Sequence, residues 1–189
     1  MSKTLKQIQK EESKERILTV SSRLFRTQGF NATGIDQIMK ESSLTAGAFY
    51  AHFESKEDLF EQSLEYALQH SSKLLTKDTE NLFGDEKTNA VLERYCSILH
   101  RDFPEKGCVL PALAAEIYRG TNTCKFLISD YIQKWADLIA AHLSENLSIE
   151  EKREKALQLI SRSVGAVLLS RMIDTSSLSE KILRAAQKI

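Results

Sequence analysis

Apolar residues recur along this chain at spacings of three and four, and the two-residue alternation of a half-buried strand never persists. That pattern supports amphipathic helices and little else. Turn-forming residues are scarce to match, with 2 prolines and 7 glycines in 189 residues, too few for a fold of many tight turns. The helix boundaries can be placed from capping chemistry. A stripe over residues 11–28 stops at Gly29, which suits a C-terminal cap. Residues 33–36 (Thr-Gly-Ile-Asp) have the form of a capping box opening a short helix, which Ser42, Ser43 and Leu44 break. Thr45 suits an N-cap for a second short helix over 46–51. Residues 55–58 (Ser-Lys-Glu-Asp) form another box, ahead of a long helix reaching Leu75. The spacing then predicts helices from Gly84 to about Phe103, from Pro111 to Gly120, over 121–146, from a box at 148–151 to Met172, and after a box at 177–180. The expected fold is all-α with about nine helices.

At this length a chain buries roughly 70% of its unfolded surface, so no metal or disulfide staple is required. Apolar residues at 42% and charged residues at 28% describe a chain that folds rather than a disordered one. No apolar run approaches the roughly 18 residues of a membrane span. Residues 1–6 run into charge, so no secretory signal is expected. Cys96, Cys108 and Cys124 fit no zinc spacing and suit reduced thiols in the cytoplasm. A net charge of zero hides an asymmetry: residues 1–56 carry nine Lys and Arg against six Asp and Glu. Their net +3 sits against −3 in the remainder, a modest pointer to a polyanion-binding N-terminal part.

Two short helices joined by a tight break, with a longer helix ahead of them, form a helix-turn-helix, whose second helix enters the major groove of DNA. Its first turn must be small or polar to reach base edges, and Thr45, Ala46, Gly47 and Ala48 are. Tyr50 and His52 add donors, and Lys56 adds a charge just beyond. Alanine and glycine supply no bidentate base reader. Readout then leans on methyl contacts, groove shape, or Gln37 and Lys40 of the preceding helix.

The run Leu24-Phe25, Gly29-Phe30, Thr33, Ile38, Leu44-Thr45, Gly47, Phe49-Tyr50, His52-Phe53, Lys56 and Leu59 resembles the TetR/AcrR family of bacterial transcriptional repressors, without gaps over about fifty residues. The resemblance implies a DNA-binding domain at 1–56 and an effector-binding and dimerisation domain at 57–189. It implies phosphate contacts from Thr33, Thr45, Tyr50, His52 and Lys56, base-facing positions at Ala46, Gly47 and Ala48, and a module core of Phe49 and Phe53. Three positions depart from the family pattern: Ser43 replaces the usual turn glycine, Met39 a usual alanine, and Ser21-Ser22 fall where alanine is common.

In the C-terminal half, Tyr95, Leu99, Leu113, Ile117, Trp135, Leu138, Ser163 and Val167 face inward on four predicted helices and are candidates to line an effector pocket. Arg94, His100, Glu116 and His142 are its polar candidates, although His100 and His142 also suit satisfied core positions. A solid core of the same residues is the competing expectation. In the helix ending at Met172, Leu157, Ile160, Val164, Leu168 and Met172 make a stripe. With Leu178 and Ile182 of the last helix, it can pair with a second copy as a four-helix bundle, the family's mode of dimerisation. Catalytic, metal and cofactor sites are not expected, since no triad, phosphate loop or HExxH spacing can be assembled. The function implied is a homodimeric repressor bound to a palindromic operator and released by a small-molecule effector. A redox sensor acting through Cys108, or a helical enzyme or carrier retaining the module as scaffold, are the alternatives.

Overall fold

The computed structural model describes residues 4–144 and 146–189. Met1, Ser2, Lys3 and Glu145 lie outside the described residues, as does any reading placed on them. Among the described residues the chain forms nine α-helices and two 3₁₀ segments and no strand. In order they are α1 (Leu5–Gln28), α2 (Ile35–Glu41), a 3₁₀ helix (Ala46–Ala51), α3 (Lys56–Thr76), α4 (Gly84–Tyr95), α5 (Ile98–Asp102), a 3₁₀ turn (Pro104–Lys106), α6 (Leu110–Arg119), α7 (Asn122–Ala140), α8 (Ile149–Met172) and α9 (Ser176–Ala185).

Side-chain caps account for many of these boundaries. Thr4 and Ser148 close reciprocal capping boxes with Gln7 and Glu151. Ser55 Oγ accepts the Asp58 N–H at 3.0 Å, while the Asp58 carboxylate accepts the Glu54 N–H at 2.9 Å, one residue earlier than a standard box. The predicted box at 33–36 does not form: Gly34 is the N-cap and makes no side-chain cap bond. The predicted box at 177–180 fails as well, because α9 starts two residues earlier, at Ser176, behind Thr175, which makes no side-chain cap bond. The helix expected over 84–103 is two helices. Cys96 leaves the helical region, and Ser97 caps α5 by accepting the His100 N–H at 3.1 Å.

α1 packs along α3, and α2 packs between α1 and the 3₁₀ helix 46–51. Phe25, Phe30 and Phe60 meet with ring centroids 5.1–5.9 Å apart, and Ser21 of α1 hydrogen-bonds Ser63 of α3 at 2.7 Å. That bond is what a serine gains at a position where alanine would only pack. Met39 is buried between the helices. The turn after α2 closes as a Schellman motif: Leu44 N–H donates to Met39 O at 2.9 Å and Ser43 N–H to Lys40 O at 3.0 Å. Ser43 occupies its left-handed position with φ +56°, the conformation for which glycine is favoured. Ser43→Gly is therefore expected to stabilise the protein by about 1 kcal/mol and raise its Tm by about 2–4 °C. A thermal melt showing an unchanged or lower Tm would contradict the assigned strain.

Candidate functional site

The helix-turn-helix presents a small, polar outer surface on a buried aromatic base. Phe49 and Phe53 are buried, with ring centroids 5.6 Å apart. Thr45, Ala46 and Gly47 are exposed and Ala48 is half-buried. A Cβ added at Gly47 would meet nothing within 4 Å. Tyr50 stands out at 73% exposed, and Lys40 is exposed on α2. The 46–51 segment is a 3₁₀ helix whose N-cap Thr45 makes no side-chain cap bond. The Thr45 hydroxyl is thus not spent on a cap. Gln37 donates to Glu41 at 3.0 Å, and Glu41 pairs with Arg23 of α1, which fixes α2 against α1.

Three residues expected at phosphates are placed differently. Thr33 is fully buried and donates its hydroxyl to Gly29 O at 2.8 Å, so it ties the start of α2 to the end of α1. His52 shares a 2.9 Å hydrogen bond with Ser13 of α1 through Nε2, and its Nδ1 is buried. Burial and the nearby Lys10 and Lys14 push its pKa down, which leaves it a poor cation for a phosphate. Lys56 Nζ lies 4.4 Å from the Phe30 ring centroid, and partial desolvation lowers its pKa. The outward-facing set is therefore Lys40, Thr45, Ala46, Gly47 and Tyr50.

The predicted pocket residues do not converge on one cavity. Tyr95 is fully buried with its ring 5.2 Å from that of Trp135, and Leu113, Ile117, Ser163 and Val167 are buried as well. At these positions the solid core is what forms, because the two aromatic rings fill the space between α4 and α7. Trp135 and Leu138 border a groove against α3, Glu116 borders a cleft beside Phe30, and His142 follows the end of α7. Arg94, Leu99 and His100 do meet, at a cavity of about 320 Å³ between α3, α4 and α5. Its other walls are Ser71, Leu75, Ser97, Phe103, Lys106, Gly107 and Cys108.

His100 anchors the inner wall of that cavity. Its Nδ1–H donates to Tyr95 O at 2.5 Å, and its Nε2 accepts the Cys108 N–H at 2.8 Å. That pair of bonds requires the neutral ring, since a second N–H would face the Cys108 donor. Burial pushes the pKa down to about 4, with Arg171 and Arg26 adding to the effect. The unfolded chain therefore binds the proton first, and stability falls as pH drops from about 6.5 towards 4. Its share of that loss is about 3 kcal/mol. Urea unfolding of wild type and His100→Gln from pH 7 to 4.5 should give a shallower pH dependence in the variant. Equal slopes would remove His100 from the account.

Gly107 is where this wall meets the N-terminal helices. Arg26 of α1 donates through Nη1 to Gly107 O at 2.6 Å, and Ser71 of α3 donates to the same carbonyl at 3.1 Å. Ser22 holds the Arg26 guanidinium in place, its carbonyl accepting from Nε and its hydroxyl from Nη2, both at 3.0 Å. Cys108 is buried and burial pushes its thiol pKa up, the reverse of a reactive thiolate. The geometry therefore speaks against thiol sensing at Cys108.

On α8, Leu157 (45% exposed) and Met172 (73% exposed) share one face with the half-buried Val164 and Leu168. Ile160 does not belong to it: at 4% exposed it packs into the chain's own core. On α9, Leu178 is exposed and Ile182 half-buried. Among the described residues, no group of three or more His, Cys, Asp or Glu is placed to hold a metal ion. No helix among them is long and apolar enough to cross a membrane.

Residues 17–62 match the family described as bacterial regulatory proteins, tetR family. The chain is 28% identical over 162 residues to the HTH-type transcriptional regulator YxaF of Bacillus subtilis, covering 84% of this chain and 85% of that protein. It is 27% identical over 165 residues to the HTH-type transcriptional regulator LmrA of the same organism, covering 84% and 86%. Its fold is similar to the crystal structure of a TetR transcriptional regulator from Chloroflexus aurantiacus, with a TM-score of 0.79, 22% identity and coverage of 95% and 94%. The matched segment contains α2, the Schellman turn and the exposed 45–50 surface, and the likeness in fold extends through the helical C-terminal half. Residues 17–62 thus carry the DNA-binding module of the tetR family of bacterial regulatory proteins, and the chain as a whole shares the fold of a TetR transcriptional regulator.

Proposed function

We propose that this protein is a homodimeric repressor that binds a palindromic operator and is released by a small molecule seated in its C-terminal half. Residues 1–56 supply the DNA surface and residues 57–189 the effector cavity and the dimer contact. The observation that carries the reading is the open surface at Gly47, exposed on a fully buried Phe49 base. A fold gains no stability from leaving that surface bare, whereas a backbone approaching base edges needs it. The effector seat is the cavity at Leu99 and His100. Its inner wall, Gly107, is gripped by α1 and α3, so a displacement there is felt by the helices carrying the DNA surface. The α8 and α9 face supplies the two-fold contact that a palindromic site requires.

Selection of bound sequences from a random duplex library tests the reading, and a two-fold symmetric motif is expected. Gly47→Glu should lower affinity for that motif at least 100-fold while leaving the Tm unchanged, since a Cβ at this position meets nothing within 4 Å. Lys40→Ala should weaken specific and non-specific DNA alike and lower the salt slope by roughly one. If Gly47→Glu binds the selected motif as tightly as wild type, the DNA surface lies elsewhere.

A further inference from the structure

The character of the cavity between α3, α4 and α5 specifies a class of ligand. Leu75, Leu99 and Phe103 give it apolar walls, and Leu99 and Phe103 remain 70% and 41% exposed at its mouth. The charges are of one sign. Arg94 and Lys106 line it, and among the described residues no carboxylate does. Behind the wall, Arg26 and Arg171 add two more guanidiniums, both partly desolvated. The acidic groups acting on them, Glu105 and Asp102, lie outside the lining. His100 cannot serve as a further donor, because both its nitrogens are taken by backbone. With Lys106 Nζ 4.9 Å from the Phe103 ring centroid, such a lining attracts the negative end of an apolar ligand and opposes a cation.

We propose that this cavity binds a small apolar anion, with its charged end toward Arg94 and Lys106 and its apolar body against Leu75, Leu99 and Phe103. The proposal rests on reading the cavity as the effector seat, and deepens it. A volume of about 320 Å³ lies at the small end for ligand sites, which suits a short-chain or single-ring carboxylate.

Calorimetric titration of the full chain with octanoate, octan-1-ol and octylammonium tests it, with operator affinity followed by fluorescence anisotropy in parallel. Octanoate should bind at least tenfold more tightly than either of the others. Lys106→Glu and Leu99→Asp should each weaken it at least tenfold. Both residues are solvent-exposed, so both variants should fold and still bind the operator, whereas Arg94 braces the end of α3 through Leu75 O and Lys77 O and is left intact. Equal or tighter binding of the alcohol or the amine would overturn the anion assignment. So would octanoate binding that ignores both substitutions, or no binding by any of the three. If octanoate binds as expected and operator affinity does not change, the ligand class stands and the effector reading fails.

Discussion

Gly107→Ala is expected to cost the fold about 3 kcal/mol and to lower the Tm by about 6–12 °C. A Cβ at this position would stand 2.1 Å from His100 Cδ2 and 2.4 Å from Nε2, far inside van der Waals contact. Relief would have to come from the ring, and the ring is held on three sides. Tyr95 O and Cys108 N–H fix its two nitrogens, and its plane meets the Tyr95 ring edge-on at 4.5 Å. Moving it breaks those bonds in a buried site, and moving Gly107 instead loosens the grip of Arg26 and Ser71 on its carbonyl. Backbone torsion has no part in this, because Gly107 is extended at φ −94°. A double-mutant cycle isolates the clash: in a His100→Ala background, where the ring is gone, adding Gly107→Ala should cost less than about 1 kcal/mol. A full cost in both backgrounds, or a Tm for Gly107→Ala within a degree of wild type, would contradict the close approach as its cause.

The residues of this wall show which parts of the molecule were legible in the sequence. Caps are local, so Ser55 and Ser148 marked their helices correctly, and the Ser42–Ser43 break was placed because a turn leaves its signature within four residues. The split between α4 and α5 had a local signal in Ser97, but part of its support is distant: Gln187, 91 residues away, donates to Cys96 O at 3.1 Å. Arg26 stands beside an apolar stripe with nothing local to mark it, and its partner at Gly107 lies 81 residues on. Periodicity placed Tyr95, Trp135, Ser163 and Val167 inward, as they are, but also Leu99 and Leu138, which are 70% and 45% exposed, and it could not tell whether the inward faces of α4 and α7 meet. They do, through Tyr95 on Trp135, and the void forms one turn away at Leu99, where α5 is too short to cover α3. Thr33 and His52 fit a family pattern, yet that pattern holds framework positions as well as contacts, and one-dimensional spacing does not separate them.

The same separation of faces makes α8 the place for the strongest test of assembly. Val164→Glu and Leu168→Glu are each expected to give folded monomers and to lower operator affinity at least 100-fold, the loss expected when two half-sites no longer act together. In the proposed dimer each substitution appears twice across a two-fold axis, so it buries like charges against an apolar surface with no partner to neutralise them. In the isolated chain these side chains are only half-buried, Val164 at the edge of the core and Leu168 clear of it, and Gly165 beside them has nothing within 4 Å of its Cβ position. The monomer should therefore tolerate the charge, with unchanged helical circular dichroism. Ile160→Glu serves as the contrast. One turn away at 4% exposed, it sits among α8 residues that pack inward, and its carboxylate would enter the chain's own core. It should unfold the protein rather than dissociate it. Sedimentation velocity distinguishes the outcomes: folded dimers for both Val164→Glu and Leu168→Glu would move the interface off this face of α8, and a folded monomer for Ile160→Glu would mean that the faces were assigned the wrong way round.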